Sequence, residues 1–133
     1  MRISKVLTEY RERPIGLDTY HPRFSWIVED LRRGACQQAY CIQVSKDPGM
    51  CALVWDSGRV ASDTSNLIEY DGKALEPCTR YYIRVSVWND AGEVATADSV
   101  FETAIMEPSQ WQAQWITPDY DFQAPKTAVP VLR

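Results

Sequence analysis

The run from Thr79 to Asn89 constrains the fold more than any other feature: Tyr81, Ile83, Val85 and Val87 alternate there with Tyr82, Arg84, Ser86 and Trp88. Successive side chains of a strand point to opposite faces. One apolar set against one mixed set therefore predicts a half-buried strand of an antiparallel sheet, with the first set facing the core. Gln38 to Ser45 repeats the pattern, with Tyr40, Ile42 and Val44 set against Cys41, Gln43 and Ser45, and Phe24, Trp26 and Val28 repeat it again. No stretch sustains the i, i+3, i+4, i+7 stripe of an amphipathic helix.

Weaker runs extend the set. Ile3 to Tyr10 supplies a first strand. Leu53 to Trp55 and Arg59 to Ala61 flank Asp56-Ser57-Gly58, which reads as the tight turn of a hairpin. Asn66 to Tyr70 precedes Asp71-Gly72, and Ser99 to Thr103 follows the turn Asn89-Asp90-Ala91-Gly92. Seven or more short strands separated by turn signals predict an all-β sandwich or barrel. From Ala104 onward, Pro108, Pro118, Pro125 and Pro130 interrupt any regular element, although Trp111, Trp115 and Ile116 keep the segment apolar. The division expected is a domain over 1–104, then over 105–133 a linker that packs back and a segment too short to be a domain.

At 133 residues, 45% hydrophobic and 24% charged, the chain has the makeup of one globular domain with a modest core. A net charge of −4 with scattered Lys and Arg argues against a nucleic-acid partner; Arg11, Arg13, Arg32 and Arg33 read as solvated surface. No apolar run approaches the ~20 residues of a membrane span. Met1 to Gly16 is charged throughout, unlike a secretory signal, so a cytoplasmic location is expected. Cys36, Cys41, Cys51 and Cys78 have no CxxC spacing and His21 is the single histidine, so free thiols, no metal site and no cofactor are expected.

The segment Leu75-Glu76-Pro77-Cys78-Thr79-Arg80-Tyr81 resembles the E–F corner of fibronectin type III domains, Leu-x-Pro-x-Thr-x-Tyr. Pro77 turns the chain, Leu75 plugs the core, and the Tyr81 hydroxyl bonds backbone a few residues upstream. Val85-Ser86-Val87-Trp88-Asn89-Asp90-Ala91-Gly92 continues the resemblance through the F–G hairpin, and Trp26 stands where such domains bury a Trp in their second strand. The implied fold is an antiparallel β-sandwich of about seven strands, fibronectin type III or immunoglobulin-like, with Trp26, Leu75, Pro77 and Tyr81 as structural residues.

A narrower resemblance covers almost the whole chain. Pro14-Ile15-Gly16-Leu17-Asp18, Pro22-Arg23-Phe24-Ser25-Trp26, Ala39-Tyr40-Cys41-Ile42-Gln43-Val44, Trp55-Asp56-Ser57-Gly58-Arg59-Val60 and Arg80-Tyr81-Tyr82-Ile83-Arg84-Val85 are similar to the opening of bacterial α-L-rhamnosidases. Trp111-Gln112-Ala113-Gln114-Trp115-Ile116 resembles the junction to their next β-domain, and Pro130-Val131-Leu132-Arg133 its first residues. The resemblance implies a non-catalytic N-terminal accessory domain of an inverting glycoside hydrolase that removes terminal α-L-rhamnosyl residues. Inversion needs an acid and a base about 6.5–9.5 Å apart. The resemblance puts that pair on a separate helical-barrel domain, so no catalytic residue is expected among the eighteen acidic side chains here.

The tryptophans carry the remaining functional signal. By alternation Trp88 faces outward with Tyr82 and Arg84, beside Cys41 and Gln43 of the neighbouring strand. Such a patch marks a contact with downstream domains of the same polypeptide, or alternatively a sugar-binding platform that recruits rhamnosylated substrate. Exposed sheet edges and the tail also make a homo-oligomer a candidate assembly, through strand addition or tail exchange.

Overall fold

The alternating runs fold into seven strands, and the computed structural model describes residues 1–114. In chain order these are β1 (Arg2–Thr8), β2 (Arg23–Glu29), β3 (Gln37–Ser45), β4 (Leu53–Asp56), β5 (Ile68–Glu69), β6 (Arg80–Asn89) and β7 (Val94–Glu102). They form two antiparallel sheets, β1-β2-β5 and β4-β3-β6-β7. The apolar sets of both sheets meet between them: Phe24, Ile42, Val44, Tyr81, Ile83, Val85, Val87 and Phe101 are fully buried. Burial of such side chains contributes roughly 1.5–3 kcal/mol each and is the main favourable term of the fold. Phe101 links the layers, 6.0 Å from the Phe24 ring and 5.3 Å from Tyr81.

The structure corrects several boundaries. β1 stops at Thr8, because Glu9 and Tyr10 take positive φ (47° and 65°) and turn the chain back, with mutual backbone bonds between Thr8 and Arg11. β7 begins at Val94, five residues before the expected Ser99. Asp56-Ser57-Gly58 is not a hairpin turn. Residues from Leu53 to Val60 run continuously along β3, with Gln43 opposite Asp56 and Tyr40 bridged to Val60. Ser57 forms a bulge in that edge: its N–H donates to the Ile42 carbonyl, and its Oγ accepts the Ile42 N–H at 2.9 Å. Arg59 to Ala61 therefore adds one bridge and no strand. The true β3–β4 connection is built on Asp47, whose carboxylate accepts from the Cys51 and Ala52 N–H groups. The strand expected over Asn66 to Tyr70 shrinks to Ile68–Glu69.

The exit from the sandwich is pinned to the loop after β1. Glu102 N–H donates to the Pro14 carbonyl, Leu17 N–H to Glu102, and Ala104 N–H to Leu17. Past this point Pro108–Gln110 forms one 3-10 turn, where the prolines had predicted no regular element; Glu107 and Gln110 cap it reciprocally. Trp115, Ile116, Pro118, Pro125 and Pro130, and with them the expected start of a further domain, lie outside the described residues.

Candidate functional site

Three sequence candidates, Tyr82, Arg84 and Trp88, stand on the outer face of β6, all half-buried. Tyr82 and Trp88 are six positions apart, about 20 Å along a strand, so they do not form one patch. The rows between them are satisfied within the sheet. Arg84 donates twice to Asp98 at 2.8 Å, Gln43 donates to Asp56, and the Ser86 and Thr96 hydroxyls pair at 3.0 Å. Trp88 lies opposite Ala39 and Val94, while Cys41 faces Ser86 and Gln43 faces Arg84. The Arg59 guanidinium sits 4.8 Å above the indole. A cation on the ring occupies the surface on which a sugar would stack.

The structural candidates gather in the core and its corner. Trp26 is 3% exposed, tilted on Tyr40, and its indole N–H donates to Gln37 at 2.9 Å. Leu75 is buried, and the Tyr81 hydroxyl accepts the Glu76 N–H at 2.8 Å. Pro77 is half-buried, its carbonyl taking the Thr79 hydroxyl. Thr103, unremarked in the sequence, completes the corner by donating to the Glu76 carbonyl at 2.6 Å and accepting the Thr79 N–H.

Several carboxylates are held ionised by arginine partners. Arg23 holds Glu9 below the ordinary carboxylate range chiefly by side-chain hydrogen bonding, and Arg2, Arg32 and Arg84 do the same to Glu29, Asp90 and Asp98. A general acid needs the opposite displacement. His21, on an exposed loop, has its Nδ1 3.0 Å from the Tyr70 carbonyl. Among the described residues no three His, Cys, Asp or Glu side chains converge as metal ligands. Cys36, Cys51 and Cys78 are exposed thiols, and burial pushes the half-buried Cys41 thiol up.

Sequence reading missed the end of the sandwich where the chain exits. The Glu9–Tyr10 turn is held there by Arg23, whose backbone N–H, Nε and Nη2 all donate to Glu9 at 2.7, 3.0 and 2.6 Å. The Arg23 guanidinium also lies 5.5 Å from the Tyr10 ring. Arg23, Glu9, Ile15, Asp18, His21 and Glu69 are among the residues lining an open depression of about 680 Å³. The lining residue Ile15 is 78% exposed, and Tyr10 and Tyr20, each flanked in the chain by lining residues, are 66% and 38% exposed. Trp111, one of the apolar residues of the linker, is 65% exposed on the departing segment. The one available signal was Pro14-Ile15-Gly16, an apolar side chain between two turn residues.

Residues 3–107 match the family of Rha78A-like N-terminal immunoglobulin domains. An α-L-rhamnosidase of Streptomyces avermitilis is 40% identical over 99% of the chain, which spans 13% of that protein. The crystal structure of S. avermitilis α-L-rhamnosidase complexed with L-rhamnose superimposes with a TM-score of 0.81 at 42% identity, over 87% of this chain and 12% of that one. The α-L-rhamnosidase of Dictyoglumus thermophilum gives a TM-score of 0.80 at 33% identity, over 86% and 14%. The chain thus spans about one eighth of the relatives it matches.

Proposed function

The chain belongs to the Rha78A-like N-terminal immunoglobulin domain family, and from that premise we propose that it braces the catalytic part of an α-L-rhamnosidase without taking part in the chemistry. The carrying observation is the match to one eighth of several α-L-rhamnosidases. The described carboxylates named above, drawn down by their Arg partners, support a purely structural role. The parent polypeptide then hydrolyses terminal α-L-rhamnosyl bonds, with its acid and base on later domains. The sandwich is of the fibronectin type III variety in this reading. Its fourth strand joins β3, β6 and β7, whereas the constant-type immunoglobulin order puts the fourth strand on the other sheet. A cytoplasmic location is part of the proposal, supported by three exposed thiols that an oxidising compartment would pair or modify. Trp88, Tyr82 and Arg84 on the outer face of β6 are a second candidate surface for neighbouring domains.

The test is turnover of an aryl α-L-rhamnoside. The 133-residue chain is expected to release no aglycone above a buffer blank, while the polypeptide carrying it with the remaining domains releases it continuously. Turnover by the short chain, or none by the long one, overturns the proposal.

A further inference from the structure

The exit end combines three properties that no other part of the described surface combines: large exposed side chains, a depression between them, and the departing chain itself. Ile15 lines the depression, Tyr10 sits in the chain between its lining residues Glu9 and Arg11 and Tyr20 between Thr19 and His21, and on the scale of an aromatic side chain the exposed surface of the three adds up to about 300–400 Å². Large exposed side chains gathered at one end of a small domain are candidates for an interaction surface, and here they lie where the chain departs. Its floor carries both signs of charge, with Arg11 and Arg23 beside Glu9, Asp18 and Glu69, which suits a partner surface of mixed charge. Leu17 lines the same depression and is bonded to Glu102 and Ala104, the last residues before the chain leaves. Beyond them the Tyr20 hydroxyl donates to Glu107 at 3.2 Å, holding the first turn of the connecting segment against this end.

We propose that the Tyr10–Ile15–Tyr20 end of the sandwich is the seat of the next domain of the same polypeptide. The inference rests on the reading of the chain as an N-terminal domain of a larger enzyme. A standard stable interface takes about 800 Å² from each partner, about twice the apolar area available here. A covalent tether removes that requirement, because a short linker holds the partner at about millimolar effective concentration. A free partner would find this area too small, and a domain leaving by Ala104 is already beside it. The outer sheet face offers no such advantage: Trp88 lies at the opposite end of β6, near the Asn89–Glu93 turn.

Hydroxyl-radical footprinting of the 133-residue chain and of the full polypeptide tests this directly. Tyr10 labelling is expected to fall severalfold in the full polypeptide, because the packed core of an interface is closed to solvent. Leu31, fully exposed at the far end, is expected to label equally in both. Ile15→Asp in the full polypeptide should restore Tyr10 labelling. In the 133-residue chain the same change should leave the thermal midpoint unmoved, because Ile15 is exposed there. Equal Tyr10 labelling in the two proteins overturns the inference, as does protection confined to Trp88. Protection that appears in the short chain alone as its concentration rises also overturns it, and assigns the surface to a second copy. Loss of rhamnosidase turnover in the full polypeptide refutes the functional reading separately, whatever the labelling shows.

Discussion

Replacing Tyr81 by Phe isolates one hydrogen bond in an otherwise unchanged core. The ring is fully buried and stacked on Phe101 at 5.3 Å with an interplanar angle of 21°, and Phe keeps both contacts. What disappears is the acceptor of the Glu76 N–H at 2.8 Å. A part-buried amide left without its partner costs about 1–2 kcal/mol. For a domain of this size that corresponds to a midpoint lower by about 4–8 °C. Thr103 grips the same residue through its next peptide, donating to the Glu76 carbonyl and accepting from Thr79. Thr103→Val removes two partners at once and is expected to cost about 2–3 kcal/mol. Because both side chains hold residue 76, the double variant should lose less than the sum by about 0.5–1 kcal/mol. Urea unfolding of the four proteins, with an unchanged m-value, measures all three quantities. A Tyr81→Phe effect within about 0.5 kcal/mol, the range of inert surface changes, refutes the assignment of the corner to this bond. Strict additivity refutes the shared grip.

Two other perturbations follow from the same structure. The Glu9 carboxyl is lowered from its ordinary 4.5 chiefly by its hydrogen bonds from Arg23, and Glu29, Asp90 and Asp98 are lowered by Arg2, Arg32 and Arg84. Lowered folded-state values mean stability that is complete above the unfolded-state values and lost as pH falls through the folded ones. The urea midpoint should therefore be level from about pH 7 to 5 and decline below about pH 4.5, with a smaller decline in Glu9→Gln; a level profile to about pH 3 contradicts the ion-pair account. Gly72→Ala should be severely destabilising, because a Cβ there would lie 2.5 Å from both Trp55 Cβ and the Tyr70 ring. A loss of about 3 kcal/mol is expected from such overpacking, read from urea unfolding, and a near-neutral result would show that this corner yields easily.

The alternation was legible where both its sets are distinct. In β6 every second residue from Tyr81 to Val87 is apolar and fully buried, so period and face could both be read. The first half of β7 could not be read in that way. Its inward residues are Ala95, Ala97 and Ser99, which carry little β preference, and it is a strand because all nine of its residues pair with β6. Asp56-Ser57-Gly58 has the composition of a turn, yet Ser57 uses its hydroxyl as a ladder acceptor, a role that composition does not distinguish. The corner around Tyr81 was legible because its spacing encodes a mechanism, though Thr103, 22 residues away, was not. Tyr10 was hidden for a related reason. Alternation from Ile3 assigns it to a strand, whereas the turn that exposes it depends on Arg23 arriving from β2.

The distribution of unusual backbone conformations separates the two ends of the sandwich. At the far end positive φ falls to Gly34 and Gly92, where it carries no steric penalty. Toward the exit end Gly16 adopts it too, but so do Glu9, Tyr10, Arg13, Met50 and Cys78 with side chains in place. Each such residue costs about 1–2 kcal/mol relative to an ordinary conformation. A two-residue turn with both φ positive would be built most favourably from Asn-Gly, and Glu9-Tyr10 is far from that choice. Part of the reason lies within the domain: the Glu9 carboxylate takes three bonds from Arg23, so its side chain offsets its own strain. Tyr10 has no such return. Its ring meets the Arg23 guanidinium only at 5.5 Å and is otherwise two-thirds exposed. Strain kept at a residue whose side chain contributes little to the fold points to a contact made outside it. The docking surface proposed at this end supplies that contact, and Tyr10→Gly is the variant in which the two effects part. It should stabilise or leave unchanged the 133-residue chain, by relieving the turn, while weakening the seating of the next domain in the full polypeptide. Loss of stability in the short chain would show that Tyr10 serves the fold itself.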